Sequence, residues 1–310
     1  MATYLITQAT GQQSLWAILY LLESGAKIHG LVRDLEKVPS NLRNPNITLF
    51  QGESKNLEDV FRAAQGCNGV FLNTVPYPGL ELLQAKTVVE ACEKAGVDTI
   101  VAATTHNTGM KEMWDDDATR NIGLHDYFSS KAAVEDTVRT GKFRAYTILR
   151  PAVLHHDFHL PGSLGNFPRL STHGVLDHLL EDGVKLPFTD TSDVGKYIAA
   201  ALQDPAKFGG EEIDLGNQLL TIEEAQDILT KISGREVQVA KRTLKEVEEM
   251  GISAFGQRFH LFANIKNLIW ARNNAKDVQR RFGIPFTSVS EALQRDSAKV
   301  LECLPGKRSA

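Results

Sequence analysis

The sequence predicts an α/β protein, with a doubly wound parallel sheet and a smaller C-terminal α/β lobe. Over the first 150 residues, strand-like runs alternate with amphipathic runs of helix length, which is typical of βαβ units. The strand-like runs are rich in aliphatic and β-branched residues, as strands buried on both faces of a sheet require. This rhythm breaks after Pro151, so a separate lobe is predicted beyond it.

The predicted sheet opens with a strand, a tight turn and a helix, and this order then repeats. Its strands are predicted at Ala2–Thr7, Lys27–Val32, Asn46–Gln51, Gly69–Asn73, Thr99–Ala103 and Arg144–Leu149. The intervening helices are predicted at Gln12–Ser24, Leu57–Ala64, Leu80–Gly96 and Leu124–Thr140. The acidic segment Trp114–Asn121 is predicted to be a polar loop.

The C-terminal part has a less regular pattern. Residues 152–187 are rich in His, Gly and Pro and have little periodicity. A helix is then predicted over Ser192–Leu202 and a seventh strand over Glu212–Leu215. Apolar residues recur at helical spacing over Phe259–Arg272, which predicts one helix that serves as lobe core, as a lid or as a dimer face. A homodimer or a regulatory protein partner is therefore left open.

Sequence signals mark the starts of two helices of this part and the end of one of them. Thr221 with Glu224, and Thr243 with Glu246, have the spacing of a capping box, in which each side chain bonds the other residue's backbone N–H. Gly234 lies where the first of these helices should end, because glycine accepts the left-handed conformation of a helix C-cap.

The bulk composition excludes several classes of function. The 310 residues are 42% hydrophobic and 23% charged, as in ordinary globular proteins. The net charge of −4 offers no basic surface for nucleic acid, and no apolar run approaches the roughly 18 residues of a membrane span. The three cysteines lie far apart and no signal segment is visible. We expect a cytoplasmic protein with a small-molecule substrate and without nucleic-acid or membrane partners.

The turn after the first strand is an altered copy of the glycine-rich dinucleotide fingerprint. Gln8, Gly11 and Ser14 occupy the three glycine positions, of which the middle one lets the backbone approach a pyrophosphate. The N-terminus of the following helix attracts anions through its free N–H groups and its dipole. The predicted contacts of this segment with a dinucleotide are Thr7, Thr10, Gly11, Gln12 and Gln13.

The end of the second strand indicates which dinucleotide is bound. Arg33 lies 22 residues after Gly11, where an acidic residue would hold a ribose hydroxyl and an arginine would accept a 2′-phosphate. Arg33 and nearby Lys37 therefore favour NADP(H), unless both are plain surface charges at a strand end. Asn73 and Thr74, at the carboxyl end of the fourth strand, are predicted to line the cofactor path.

These assignments define two predicted domains. Residues 1–151 plus about 188–217 form a Rossmann-type NAD(P)-binding domain. Residues from about 152 to 187 plus 218–310 form the substrate-binding lobe.

Several short motifs in a fixed order resemble one protein family. They are Ala9-Thr10-Gly11, Val32-Arg33-Asp34, Gln51-Gly52-Glu53, Asn73-Thr74-Val75-Pro76, Tyr127-Phe-Ser-Ser-Lys131, Leu149-Arg150-Pro151, Ser192-Asp193-Val194-Gly195 and Leu220-Thr-Ile-Glu-Glu224. The chain resembles the NmrA-like family of atypical short-chain dehydrogenases/reductases over nearly its whole length. This resemblance implies a Rossmann domain that binds NADP(H) and a small C-terminal substrate lobe. The family includes reductases and redox-sensing regulators that bind the cofactor without known turnover.

Tyr127 and Lys131 are the candidate catalytic residues. Their i, i+4 spacing places them on one face of a helix. A tyrosine can protonate a carbonyl oxygen during hydride transfer, and a nearby ammonium strengthens that acid and can hold the nicotinamide ribose. The wider superfamily gives the pair this role, so Lys131 is predicted to contact the cofactor as well. The alternative is that Tyr127 simply packs as a half-buried helix residue.

The remaining candidates concern the substrate. Thr104, just past the fifth strand, could bind a substrate carbonyl, although such hydroxyls often only form turns. His155 and His156 are predicted to edge the substrate pocket, with a solvated loop as the alternative. Adjacent histidines on a loop lack the spacing of a ligand pair, so we predict no metal site.

The sequence leaves three hypotheses for the function. The first is an NADP-dependent oxidoreductase that reduces a small apolar carbonyl or conjugated alkene. The second is a non-catalytic, NADP(H)-responsive regulatory binding protein. The third is a non-redox enzyme, such as an isomerase, hydrolase or cyclase, on the same scaffold. Gln8 and Ser14 favour the second and third hypotheses, whereas Arg33 and the Tyr–Lys spacing favour the first.

Overall fold

The computed structural model describes residues 1–77, 79–251 and 253–306. The chain divides into two compact units. The first consists of Met1–Lys111, Asp126–Pro151 and Thr191–Leu215, and the second of Glu112–His125, Ala152–Asp190 and the chain from Gly216 onwards. The predicted division differs from this one mainly over residues 112–125, which belong to the second unit.

The strands, in chain order, are β1 (Thr3–Ile6), β2 (Lys27–Val32), β3 (Ile47–Gln51), β4 (Gly69–Leu72), β5 (Thr99–Ala103), β6 (Ala145–Arg150), β7 (Val153–Leu154), β8 (Val175–His178), β9 (Leu186–Thr189), β10 (Glu211–Asp214), β11 (Gln218–Leu220) and β12 (Gln238–Lys241). The helices are α1 (Gln12–Glu23), α2 (Leu57–Ala64), α3 (Leu80–Ala95), α4 (Lys111–Trp114), α5 (Asp117–Asn121), α6 (His125–Thr140), α7 (Ser163–Asn166), α8 (Pro168–His173), α9 (Thr191–Gln203), α10 (Pro205–Phe208), α11 (Ile222–Ser233), α12 (Leu244–Glu249), α13 (Phe255–Ile265), α14 (Trp270–Phe282), α15 (Val289–Arg295) and α16 (Ser297–Cys303). Two short 3-10 helices cover Ser40–Leu42 and His155–Phe158.

The described residues of the first unit form a sheet of seven strands in the order β10-β6-β5-β4-β1-β2-β3. All neighbouring strands run parallel, so the predicted doubly wound sheet is confirmed. In its register, Ile6 of β1 pairs with Gly30 of β2 and with Phe71 of β4. The strand order reverses between β1 and β4, and ligands of such sheets bind in the crevice outside the carboxyl ends at that point.

The core of the first unit lies between this sheet and its helices. Strands β4 and β5 are buried along their whole length, which explains their continuous apolar sequences. Val70 and Ile100 of these strands share one apolar cluster with Val60 of α2, Val88 of α3 and Val134 of α6. The buried sheet therefore supports the loops at its carboxyl edge.

The second unit contains smaller sheets and short helices. Strand β9 pairs antiparallel with β11 and parallel with β7, and β12 pairs parallel with β8. Both predicted capping boxes are confirmed, at Thr221 before α11 and at Thr243 before α12. Gly234 ends α11 with φ of 62°, as predicted. No helix among the described residues has the length and apolarity needed to cross a bilayer.

Two predictions of local structure are wrong. The predicted loop Trp114–Asn121 contains α5, because the Asp116 carboxylate accepts the Thr119 N–H at 2.8 Å and caps that helix. The predicted single helix over Phe259–Arg272 is two helices, α13 and α14. Lys266 is extended, yet the apolar spacing continues across the break, so periodicity alone could not detect it.

Candidate functional site

The turn between β1 and α1 is tight despite its altered sequence. Gln8 has φ of 49°, a left-handed conformation that costs a non-glycine residue about 1 kcal/mol. Its carbonyl oxygen accepts the Gly11 N–H at 2.7 Å, which closes the turn. A Cβ at Gly11 would lie 3.1 Å from that oxygen, so the middle position suits glycine.

Two other residues replace the third glycine. Ser14 is fully buried, and its Oγ donates to the Thr7 carbonyl oxygen at 3.1 Å, which ties the first turn of α1 to the end of β1. Close helix packing is provided instead by Gly195 of α9, where a Cβ would lie 2.5 Å from the Trp16 Cβ. Gly195 stands in one of the motifs that carry the family resemblance, but its packing role was not predicted.

The crevice at the switch point brings together residues from two strand ends. Thr7 Oγ1 accepts the Asn73 N–H at 2.9 Å and donates to the Phe71 carbonyl oxygen at 3.0 Å. Thr7 and Asn73 therefore lie beside Gly11, whose built Cβ would be 3.5 Å from Asn73 Nδ2. Gln12 and Gln13 form the first turn of α1. The predicted cofactor residues of the turn thus form one contiguous group.

A cavity of about 160 Å³ adjoins this turn. Gln8, Thr10 and Arg33 line it, with Arg33 exposed at the end of β2. Lys55, which sequence analysis missed, also lines the cavity and pairs with Glu53 at 2.9 Å. Lys37 is not among the residues that line it; its side chain is exposed, and its ammonium pairs with Asp34 at 3.1 Å.

Lys131 is held in a buried ion pair that the sequence did not reveal. Its Nζ donates to Oε1 of Glu81, on α3, at 2.5 Å, and the two side chains are 7% and 1% exposed. Glu81 also accepts the hydroxyls of Thr74 at 2.6 Å and Ser130 at 2.8 Å. Thr74, predicted to line the cofactor path, thus points its hydroxyl to Glu81.

Tyr127 lies one turn before Lys131 on α6. The Lys131 ammonium is 5.6 Å from the centre of the Tyr127 ring, a distance typical of a cation–π contact. The ring also meets Phe128 edge to face at 5.6 Å. Tyr127 and Lys131 therefore share a helix face, as their spacing requires.

Thr104 belongs to a different cluster. Its hydroxyl donates to Glu135 at 2.7 Å, and Glu135 also accepts two hydrogen bonds from Arg150, at 2.8 and 2.7 Å. All three residues are buried. The predicted substrate contact of Thr104 therefore competes with this internal hydrogen bond.

His155 and His156 belong to the second unit. His155 lies between two carboxylates, Asp190 at 3.1 Å and Asp296 at 2.9 Å. Burial lowers the pKa of His156 to about 3, so this imidazole is neutral and can donate or accept a hydrogen bond.

His155 also has the type of surroundings from which metal sites are built. Ligand atoms of His155, His159 and Asp296 lie within 4.8 Å of one another. Arg295 already neutralises this cluster, because its guanidinium donates to Asp190 at 2.6 Å and to Asp296 at 2.9 Å. A cation is thus in place without a metal, and the expected absence of a metal site stays a prediction.

Comparison with known proteins identifies the family. The sequence pattern of the NmrA-like family matches residues 2–291. The chain belongs to the NmrA-like family. The resemblance seen in the sequence motifs is therefore confirmed.

Solved structures share the fold at low sequence identity. An NADPH-dependent quinone oxidoreductase from Escherichia coli, complexed with NADPH, superposes with a TM-score of 0.73 at 20% identity, over 94% of this chain and 99% of that one. The negative transcriptional regulator NmrA, in complex with NAD, gives a TM-score of 0.69 at 18% identity, over 94% of each chain. The fold is thus found in a reductase and in a regulator.

One curated relative matches part of the chain. Agroclavine dehydrogenase from Claviceps fusiformis is 29% identical over 122 residues. The match covers 37% of this chain and 41% of that enzyme.

Proposed function

We propose that the chain is an NADP(H)-dependent reductase of a small, largely apolar carbonyl or conjugated alkene. The observation that carries the proposal is the cavity beside the β1–α1 turn, with Arg33 and Lys55 in its lining. Glu53, the ion-pair partner of Lys55, also lines the cavity, so these three side chains carry one net positive charge, which favours a dianionic 2′-phosphate. The relatives named above support a dinucleotide, but they include complexes with both NADPH and NAD.

The residues of the turn fit a dinucleotide. Gly11 leaves the space that a side chain would fill, and the first turn of α1 presents free backbone N–H groups to an anion. Thr10 and Gln8 line the adjoining cavity. Gln8 adopts the left-handed conformation itself. The turn therefore forms even though the first glycine of the fingerprint is missing.

Each group in the site has a separate task in the proposed reaction. When bound, NADPH supplies the hydride. Arg33 and Lys55 would hold the 2′-phosphate, and the N–H groups of α1 would hold the pyrophosphate. The Lys131 ammonium uses one of its three N–H donors on Glu81 and offers the others to the ribose. The Tyr127 hydroxyl gives its proton to the substrate oxygen.

The test is NADPH consumption with a panel of a quinone, an enone and an aldehyde. We expect turnover of at least one substrate, and a fall of about tenfold or more in kcat for Tyr127→Phe. Tyr146→Phe, a matched change on β6, should keep full activity. Turnover that survives both Tyr127→Phe and Lys131→Ala would refute this proton chemistry.

A regulator that binds NADP(H) without turnover is the second candidate. The buried Glu81–Lys131 pair is compatible with it, because an ammonium held by Glu81 can bind a cofactor without any turnover. Saturable NADPH binding with no turnover of any panel member would select this candidate over the reductase.

A further inference from the structure

Glu81 is an unusual residue to find in the core of this fold. It lies in the first turn of α3, where the helix dipole favours an anion, but its side chain is only 1% exposed. Three donors converge on its two oxygens: Lys131 and Thr74 on Oε1, and Ser130 on Oε2. These hydrogen bonds satisfy both carboxylate oxygens in the core. The Glu81 carboxyl group is therefore held in one position beside Lys131.

Stability alone gives little reason to keep such a pair. Burying two charges costs several kcal/mol of desolvation, and a well-packed apolar pair of similar size is often as stable or more so. The pair is better explained by what it does to Lys131.

The Lys131 ammonium is held by Glu81, but within the described part of the chain not all of its N–H donors have an acceptor. An ammonium has three N–H donors, and among the residues that the structure describes Lys131 donates only to Glu81. Its remaining donors are buried, with the side chain 7% exposed. A buried donor without an acceptor is costly, so these donors suit a ligand that arrives from outside.

We propose that Glu81 is a positioning residue, which fixes the Lys131 ammonium in place so that its remaining donors bind the cofactor. This inference rests on the proposed NADP(H) site. Glu81 itself touches neither substrate nor cofactor; Thr74 and Ser130 fix the carboxylate, and the carboxylate fixes the ammonium.

A double-mutant cycle on NADPH affinity tests the coupling. Glu81→Gln should weaken NADPH binding about tenfold, the value of one charge-assisted hydrogen bond. In the Lys131→Met background the same change should have no further effect. Glu90→Gln, an exposed change on the same helix, is the matched control and should leave the affinity unchanged.

A second readout does not need the cofactor. The acetylation rate of Lys131 by acetic anhydride, measured by peptide mass spectrometry and normalised to exposed Lys37, reports how firmly Glu81 holds the Lys131 side chain away from the reagent. Glu81→Gln should raise this rate at least about tenfold, because it leaves a buried ammonium unpaired. Should Glu81→Gln not fold, Glu81→Asp is the alternative, because it keeps the carboxylate but shortens the side chain by one methylene. It should raise the acetylation rate of Lys131 to a lesser extent.

The outcomes separate the two proposals. An equal loss of NADPH affinity in both Lys131 backgrounds, or an unchanged acetylation rate, would overturn the role of Glu81. A wild-type protein that binds no NADPH would overturn the proposed function, while the acetylation rate would still decide whether Glu81 controls Lys131.

Discussion

Helix α6 contributes to two buried clusters of charged side chains. In one, Lys131 meets Glu81; in the other, Glu135 meets Arg150, which also pairs with Glu212. The central ion pair of each cluster is buried. They differ in how far the cation is satisfied.

The Arg150 cluster is closed. The guanidinium donates through Nε and Nη2 to Glu135, through Nη2 to Glu212, and through Nη1 to Asp214 at 3.5 Å. Arg139 adds further bonds to Glu135 and Glu212. The Lys131 cluster has one carboxylate for a three-donor ammonium. We call the Arg150 cluster closed because carboxylates occupy the donors of Arg150, which joins β6, β10 and α6. We call the Lys131 cluster open because, among the described residues, its ammonium has donors left over, which suits a ligand.

The largest effect is expected from breaking the closed cluster. Arg150→Met should lower the free energy of unfolding by about 3–5 kcal/mol, since it leaves Glu135 buried without its main partner. Urea denaturation measures this, and the folded fraction should still bind NADPH. A loss under about 1 kcal/mol would mean that Arg150 is not the centre of a structural network.

The open cluster should behave in the opposite way. Replacing both partners, as Glu81→Gln with Lys131→Met, should change the free energy of unfolding by about 1 kcal/mol or less, because no buried charge is left unpaired. NADPH affinity should still fall about tenfold. Denaturation and NADPH titration of the same preparation distinguish the two effects. A large loss of stability with unchanged affinity would make this cluster structural too.

The contribution of Asp214, at the edge of the closed cluster, to the free energy of unfolding should depend on pH. Burial raises the pKa of Asp214 to about 6, so the folded protein binds its proton more tightly than the unfolded chain does. The stability from this proton is fully present below about pH 4 and is lost as the pH rises through 6. As the pH rises from 4 to 7, the free energy of unfolding of Asp214→Asn should therefore increase by about 2 kcal/mol relative to that of the wild type. Parallel stability profiles from urea denaturation would contradict this.

The sequence predicted the sheet well, because its signals are local. Continuous apolar runs marked β4 and β5, and the capping boxes at Thr221 and Thr243 marked two helix starts. Thr7 and Asn73 were each predicted to line the cofactor path, and the structure shows that they touch because β1 and β4 are neighbouring parallel strands.

The features that sequence analysis missed depend on tertiary contacts. Glu81 looks like any acidic residue in the first turn of a helix, and only packing shows that it is buried. Lys37 follows β2 closely in sequence, yet it pairs with Asp34, while Lys55 reaches the cavity from the loop after β3. A single sequence does not report where such loops run.

The most direct test of the account is a titration with NADPH and with NADH, followed by fluorescence. We predict saturable NADPH binding at least about tenfold tighter than NADH binding. Arg33→Ala with Lys55→Ala should abolish this preference, whereas Lys37→Ala should retain it. Absence of saturable binding of either nucleotide, or an unchanged preference in the double variant, would contradict the proposed site.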